Sequence, residues 1–124
     1  MAKRILIVED DLDNLRITET VLRLAGHEVS SAADGIEALD RLASFKPDLI
    51  LIDLQLPRLD GWETTRRIKA RPGLQSTPII ALTGFALKGD ETAARSAGCD
   101  DYLAKPCRPA VLREKVDKWL GTDS

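Results

Sequence analysis

Apolar residues are arranged along this chain in two different patterns. Continuous apolar runs at 5–8, 49–52 and 79–82 are typical of strands that are buried on both faces of a sheet. Weaker runs at 28–31 and 101–104 predict two more strands. Between the runs, apolar residues recur three and four positions apart, as they do on one face of an amphipathic helix. The pattern therefore predicts a regular alternation of strands and helices.

Five helices follow from the helical spacing. Gly26 and Gly98 stand where two of them end, because glycine readily adopts the left-handed conformation that closes a helix. Pro109 suits the first turn of the last helix, where no backbone N–H is needed. The predicted helices are 14–25, 36–43, 62–70, 92–97 and 109–120.

The alternation predicts an α/β fold. Helices of this kind connect parallel strands and pack on both faces of the sheet. We therefore expect a doubly wound, five-stranded parallel sheet inside a three-layer α/β/α sandwich with five helices. Asp34–Gly35 and Asp60–Gly61 are typical of turns between these elements. A length of 124 residues with 44% hydrophobic composition fits one domain over 1–124, and we expect the tail at 121–124 to fray.

Composition and charge narrow the functions open to this chain. The 18 basic and 20 acidic residues give a net charge of −2 and are mixed along the sequence, which argues against direct binding to nucleic acid. No apolar stretch has the length of a signal-peptide core or a membrane span, so we expect a cytoplasmic protein without membrane insertion. Cys99 and Cys107 lack a CxxC spacing and are expected to be reduced thiols. His27, the single histidine, is expected to flank a helix end rather than to serve as a catalytic base.

Polar residues suited to chemistry stand at the ends of four strands. Glu9 and Asp10 come after the first strand, Asp53 ends the third, Thr83 ends the fourth, and Lys105 follows the fifth. The carboxyl ends of parallel strands share one edge of a sheet, which is where ligands bind in open α/β folds. Asp53 alone is equally consistent with a residue that starts a turn. Together the five residues predict a site at this edge.

Three carboxylates at one edge predict a bound cation. They repel one another in a partly desolvated cleft unless a cation lies between them or their pKa values rise. Carboxylate oxygens favour Mg2+, with Mn2+ as a substitute, and a Mg2+ ion that keeps water ligands favours phosphoryl transfer. Asp53 is then the nucleophile that forms an aspartyl phosphate. Lys105 pairs with a phosphoryl oxygen, and the Thr83 hydroxyl donates to another.

Several segments of the sequence resemble the receiver domain of bacterial two-component response regulators, of the stand-alone type best known from chemotaxis. They are Ile5–Asp11, Leu51–Pro57 with Asp60–Gly61, Ala81–Gly84 and Tyr102–Pro106. These segments stand in the family's order and spacing across nearly the whole chain. The resemblance implies a flavodoxin-like sheet with the strand order 2-1-3-4-5.

The resemblance also implies roles for the acidic residues. Asp53 would be the phosphoacceptor, and the Mg2+ ion would be surrounded by Glu9, Asp10, Asp53 and the backbone carbonyl of Gln55. Many members of the family have aspartate where this chain has Glu9. Asp11 lies one residue beyond the matched acids and is expected to begin the first helix instead.

A conformational switch is a further implication of the resemblance. Thr83 would move toward the phosphoryl group, Tyr102 would turn inward behind it, and the peptide bond between Lys105 and Pro106 would be cis. The face of the fourth helix, fifth strand and fifth helix would then contact a protein partner. Separately from the resemblance, charged residues on the last helix are expected to form a solvated face rather than an interface. They are Arg113, Glu114, Lys115, Asp117 and Lys118.

The predicted function is that of a phosphoacceptor in a two-component system or phosphorelay. A histidine kinase or a histidine phosphotransfer protein would donate the phosphoryl group. The chain is expected to be no enzyme beyond its own phosphorylation and autodephosphorylation. Met1 and the short tail favour a free-standing protein, while 85–90 and 98–102 also resemble receivers of hybrid histidine kinases.

Two alternatives from other protein classes fit less well. A Mg2+-dependent phosphatase of the haloacid dehalogenase type also uses an aspartyl nucleophile, but it has a second aspartate where this chain has Gln55. A flavodoxin-like cofactor protein shares the architecture, yet no glycine-rich phosphate loop follows Val8.

Overall fold

A computed structural model of the chain describes residues 3–54, 61–83, 98–104 and 108–121, and of Thr83 it describes the backbone alone. These residues form five strands and four helices, while the helix predicted at 92–97 lies outside them. The strands are β1 Arg4–Val8, β2 Glu28–Ala32, β3 Leu49–Asp53, β4 Ile79–Thr83 and β5 Asp101–Ala104. The helices are α1 Leu12–Leu24, α2 Gly35–Arg41, α3 Gly61–Lys69 and α4 Pro109–Leu120.

The five strands form one parallel sheet with the order β2-β1-β3-β4-β5, as predicted. In the register of this sheet, Val8 lies beside Ile52 and Asp53 lies beside Leu82. The chain order reverses between β1 and β3, which is the point where open α/β sheets form a crevice. The residues that follow β1 and end β3 are therefore brought to the same crevice.

Alternate residues of the strands point into two separate cores, one on each face of the sheet. The even-numbered apolar residues of β1 and β3, such as Leu6 and Ile52, pack with α2 and α3. The odd-numbered ones, such as Ile7 and Leu51, pack with α1 and α4. Because the apolar residues of β1 and β3 are buried on both faces of the sheet, both layers of helices are needed to cover them. The three-layer sandwich is present among the described residues.

Two helices begin one or two residues before their predicted starts, and an aspartate caps each of them, as expected for Asp11. Helix α1 begins at Leu12, where the Asp11 side chain accepts hydrogen bonds from the N–H groups of Asp13 and Asn14 at 2.9 and 3.1 Å. Helix α2 begins at Gly35, where the Asp34 side chain accepts from the N–H of Glu37 at 2.9 Å. Such caps satisfy N–H groups that a helix leaves unpaired in its first turn.

Helices α1 and α4 each end shortly before a glycine. Gly26 has a φ of 92° just after α1, and Gly121 has a φ of 67° just after α4. Pro109 is the first residue of α4, as predicted. Among the helices in the described ranges, none combines the length and the apolar character that crossing a membrane requires.

Candidate functional site

Glu9, Asp10 and Asp53 converge at the carboxyl edge of the sheet. Glu9 follows β1 directly, and its N–H donates to the carbonyl of Ala32 at 3.0 Å. Asp53 is the last residue of β3. One carboxylate oxygen of each acid lies within 4.8 Å of those of the other two. The strand register alone therefore brings three acidic groups to one place.

This cluster concentrates negative charge in a partly dry environment. Glu9 and Asp53 are only 2% and 6% exposed, whereas Asp10 lies on the surface. Two negative charges 4.8 Å apart, the upper limit for these carboxylate oxygens, repel each other by about 3 kcal/mol at an effective dielectric constant of about 20. A cluster of carboxylate oxygens fits a hard divalent cation that keeps some of its water ligands. The donor set of this site therefore fits Mg2+.

The backbone around Asp53 is fixed by neighbours on two sides. The N–H of Leu54 donates to the carbonyl of Leu82 at 3.0 Å, which extends the pairing of β3 with β4 beyond the last strand residue. On the other side, the N–H of Gly61 donates to the carbonyl of Leu54 at 3.2 Å. The end of β3 is thus held between a neighbouring strand and the start of α3.

The other predicted site residues are placed as follows. Thr83 closes β4, and its backbone lies beside Ala104 at the end of β5. Tyr102 lies in β5, is half-buried, and packs against the core on the α2 and α3 face. The remaining predicted site residues, which lie outside the described residues, are Gln55, Lys105 and Pro106.

Asp101 forms a hydrogen-bonded network that the sequence pattern did not predict. Its buried carboxylate accepts from Trp119 Nε1 at 2.6 Å on one oxygen. The other oxygen accepts from the Tyr102 N–H at 2.8 Å and from Lys115 Nζ at 3.2 Å. Burial alone would raise the pKa of Asp101, but the bonds from Trp119, Tyr102 and Lys115 outweigh burial and hold that pKa below its usual value. The network ties β5 to α4.

This network corrects the expectation that Lys115 belongs to a solvated surface. Its side chain is 27% exposed and pairs with Asp101. Lys115 and Trp119 stand four positions apart on α4, so both reach the same strand. That spacing was the available signal, but it is shared by many pairs on solvated helices.

A second hydrogen-bonded network fixes the carboxyl-terminal end of α3. Lys69 Nζ donates to the carbonyls of Gln75 and Thr77 at 3.2 and 2.8 Å, and to the Asp100 carboxylate at 2.9 Å. The same carboxylate oxygen accepts from the N–H of Ile79 at 2.9 Å. These bonds connect the end of α3 with the starts of β4 and β5.

Cys99 and His27 occupy structural positions. Cys99 is a free, buried cysteine, and burial raises the pKa of its thiol. His27 follows α1, and its backbone N–H donates to the carbonyl of Leu22 at 3.1 Å, as expected of a residue that flanks a helix end. Burial lowers the pKa of its imidazole. Cys107 lies outside the described residues.

Comparison with known proteins gives consistent matches. A model of the family described as the response regulator receiver domain matches residues 5–117. The polar-differentiation response regulator DivK of Brucella anthropi is 39% identical over 121 residues, which are 98% of each chain.

Solved structures match over a similar span. The receiver domain of a sensor histidine kinase from Pseudomonas aeruginosa PAO1, with a magnesium ion coordinated in its active site cleft, is 42% identical. Its TM-score is 0.90, and the match covers 98% of this chain and 100% of that one. Chemotaxis response regulator CheY4 of Vibrio cholerae is 27% identical with a TM-score of 0.92, over 96% of this chain and 99% of that one.

Proposed function

Because this chain belongs to the response regulator receiver domain family of two-component signalling, we propose that Asp53 accepts a phosphoryl group from a histidine kinase or a histidine phosphotransfer protein. The observation that carries this assignment is the convergence of Glu9, Asp10 and Asp53 within 4.8 Å at the carboxyl edge of the sheet. Asp53 ends the central strand of the sheet, with a backbone fixed on both sides. It is therefore the best-positioned acid for a reaction that needs one defined geometry.

We assign the cation of this site as Mg2+, with Mn2+ as a substitute. Glu9, Asp10 and Asp53 would hold it together with the backbone carbonyl of Gln55. When bound, the ion supplies positive charge that offsets the carboxylates and the phosphoryl oxygens. The magnesium ion in the Pseudomonas aeruginosa relative supports this assignment.

The reaction itself falls to the side chains of this protein. An oxygen of the Asp53 carboxylate attacks the phosphorus of a phosphohistidine, the phosphorus–nitrogen bond breaks, and the imidazole of the donor leaves with the electron pair. Lys105 places its ammonium group against a phosphoryl oxygen, and the Thr83 hydroxyl donates to another. Water later hydrolyses the acyl phosphate. The protein is a signalling domain that catalyses only its own phosphorylation and dephosphorylation.

The signal would leave through the side of the molecule that carries β5. Thr83 and Tyr102 would act as the switch, and the Lys105–Pro106 peptide bond would be cis. The output surface would combine the helix predicted at 92–97, β5 and α4, and its partner would be a protein rather than nucleic acid or a membrane. The link from Asp101, next to Tyr102, to Trp119 on α4 supports this choice, because it connects the switch strand to the surface helix.

We treat 1–124 as one receiver domain that acts in the cytoplasm. The free thiol of Cys99 supports a reducing compartment. A receiver excised from a hybrid histidine kinase is the second candidate, because one of the similar structures is the receiver of a sensor kinase. The size of the native protein on an immunoblot separates the two.

Incubation with acetyl phosphate and Mg2+ tests the assignment of Asp53. The wild-type protein should gain one phosphoryl group that hydroxylamine removes, and chelation of the cation by EDTA should prevent the gain. Asp53→Asn should gain none. Asp40→Asn, which makes the same charge change at an exposed position on α2, should behave as wild type. Undiminished phosphorylation of Asp53→Asn would refute the assignment.

A further inference from the structure

Helix α3 lies very close to the backbone of Asp53. Gly61 is its first residue and is buried. A Cβ atom at Gly61 would overlap the carbonyl oxygen of Asp53 and lie 2.5 Å from Leu54 Cα. Both obstacles are backbone atoms, so no side chain can rotate away to make room. Any residue larger than glycine must displace the helix, the Asp53–Leu54 peptide, or both.

The conformation of the backbone does not explain this glycine. The described glycines with positive φ are Gly26, Gly73, Gly98 and Gly121, so the backbone of Gly61 suits other residues. Close approach of α3 to the phosphoacceptor strand is therefore what requires glycine at 61.

Contacts along its buried face hold α3 in place. The Thr65 hydroxyl donates to the carbonyl of Gly61 at 2.7 Å and lies 3.7 Å from the sulfur of Cys99. Thr64 and Ile68 are fully buried on the same helix. Protein interiors are close-packed, so a shift of the whole helix would break these contacts. Added volume at Gly61 is therefore transmitted to Asp53.

We propose that Gly61 is a positioning residue of the phosphotransfer site, whose missing side chain lets α3 fix the Asp53–Leu54 peptide. The proposal rests on the proposed role of Asp53. That peptide sets the direction of the Asp53 carboxylate and of the chain that leads to Gln55. The Leu54 N–H of this peptide donates to the carbonyl of Leu82, and the N–H of Gly61 donates to the carbonyl of Leu54 in the next peptide.

The test compares Gly61→Ala with Gly26→Ala. Gly26 has a φ of 92°, and a Cβ added there would have no atom within 4 Å, so alanine strains the backbone without a clash and away from the site. The phosphorylation rate constant is measured with acetyl phosphate at saturating Mg2+, under conditions where circular dichroism shows each variant folded. Gly61→Ala should react about 10–100-fold more slowly, since a misplacement of about 1 Å has effects of that order. Gly26→Ala should stay within about twofold of wild type if only stability changes.

Thr65→Val provides a second variant in case Gly61→Ala fails to fold. It keeps the side-chain volume but removes the hydroxyl that holds Gly61, so phosphorylation should slow to a smaller extent. The inference would be overturned if Gly61→Ala and Thr65→Val, where they fold, were phosphorylated as fast as wild type. It would also be overturned if Gly26→Ala were slowed as much as Gly61→Ala. If the wild-type protein gains no phosphoryl group on Asp53, the proposed function fails instead.

Discussion

Replacing Trp119 with phenylalanine tests the network that joins β5 to α4. The change removes the indole N–H that binds a buried oxygen of Asp101 at 2.6 Å and keeps an aromatic ring in place. A hydrogen bond to a charged group contributes roughly 1.5–3 kcal/mol, and its loss leaves this oxygen without that donor. We therefore expect the free energy of unfolding to fall by about 2 kcal/mol.

This loss should be visible in thermal and chemical unfolding. For 124 residues, the entropy of unfolding is about 0.26 kcal/mol/K, so a loss of about 2 kcal/mol lowers Tm by about 8 °C. Urea unfolding near neutral pH should give the same free energy from the shift of the midpoint at constant slope. Trp62→Phe on α3, which makes the same change of ring size beside the other core, is the control.

Acidification supplies an independent check. The bonds of the network lower the pKa of Asp101 in the folded protein. Their stabilisation is therefore complete above the unfolded-state pKa of about 4 and is lost as pH falls through the lower folded value. The difference between wild type and Trp119→Phe should narrow in that range. A change below about 0.5 kcal/mol near neutral pH, which is the range of ordinary surface substitutions, would refute the reasoning.

Two further predictions concern single side chains. Asp11→Ala should lower the free energy of unfolding by about 1 kcal/mol, because the cap of α1 is lost. The Mg2+ affinity measured by fluorescence titration should not change. A large loss of affinity would place Asp11 in the metal site instead. His27→Leu should remove a pH dependence of stability. Because burial lowers the folded pKa of His27, the wild-type protein loses stability as pH falls through the unfolded value of about 6.5 toward the folded one. Urea midpoints in that window should fall for wild type and stay flat for the variant, and parallel curves would contradict this assignment.

Much of the fold was predictable because its signals are local. Four-residue apolar runs identify strands buried on both faces, and Gly26 marks the end of α1 by its own backbone preference. The convergence of Glu9, Asp10 and Asp53 followed from these strands, since parallel strands end at one edge. The sequence signal of an aspartate that caps a helix is harder to tell from that of a turn. Asp34 beside Gly35 has the composition of a turn, and only the structure shows that its side chain begins a helix.

Gly61 and Asp101 could not be predicted because their roles depend on contacts between distant segments. Asp60 and Gly61 have the composition of a turn, and nothing in the neighbouring sequence indicates how closely α3 will pack on β3. Asp101 begins a short strand, and its partners Lys115 and Trp119 have the spacing of any helix surface. Both cases depend on the packing of one element against another, which periodicity does not report.

The two sides of Asp53 differ in what can move. On the α3 side, a Cβ atom at Gly61 would meet backbone atoms of Asp53 and Leu54, so a displacement there must break close packing. On the other side, β5 is joined to α4 by bonds between the side chains of Asp101, Lys115 and Trp119. Side-chain bonds can exchange partners while the backbone stays paired. A new charge on Asp53 should therefore shift the equilibrium of the β5 and α4 side while α3 stays in place.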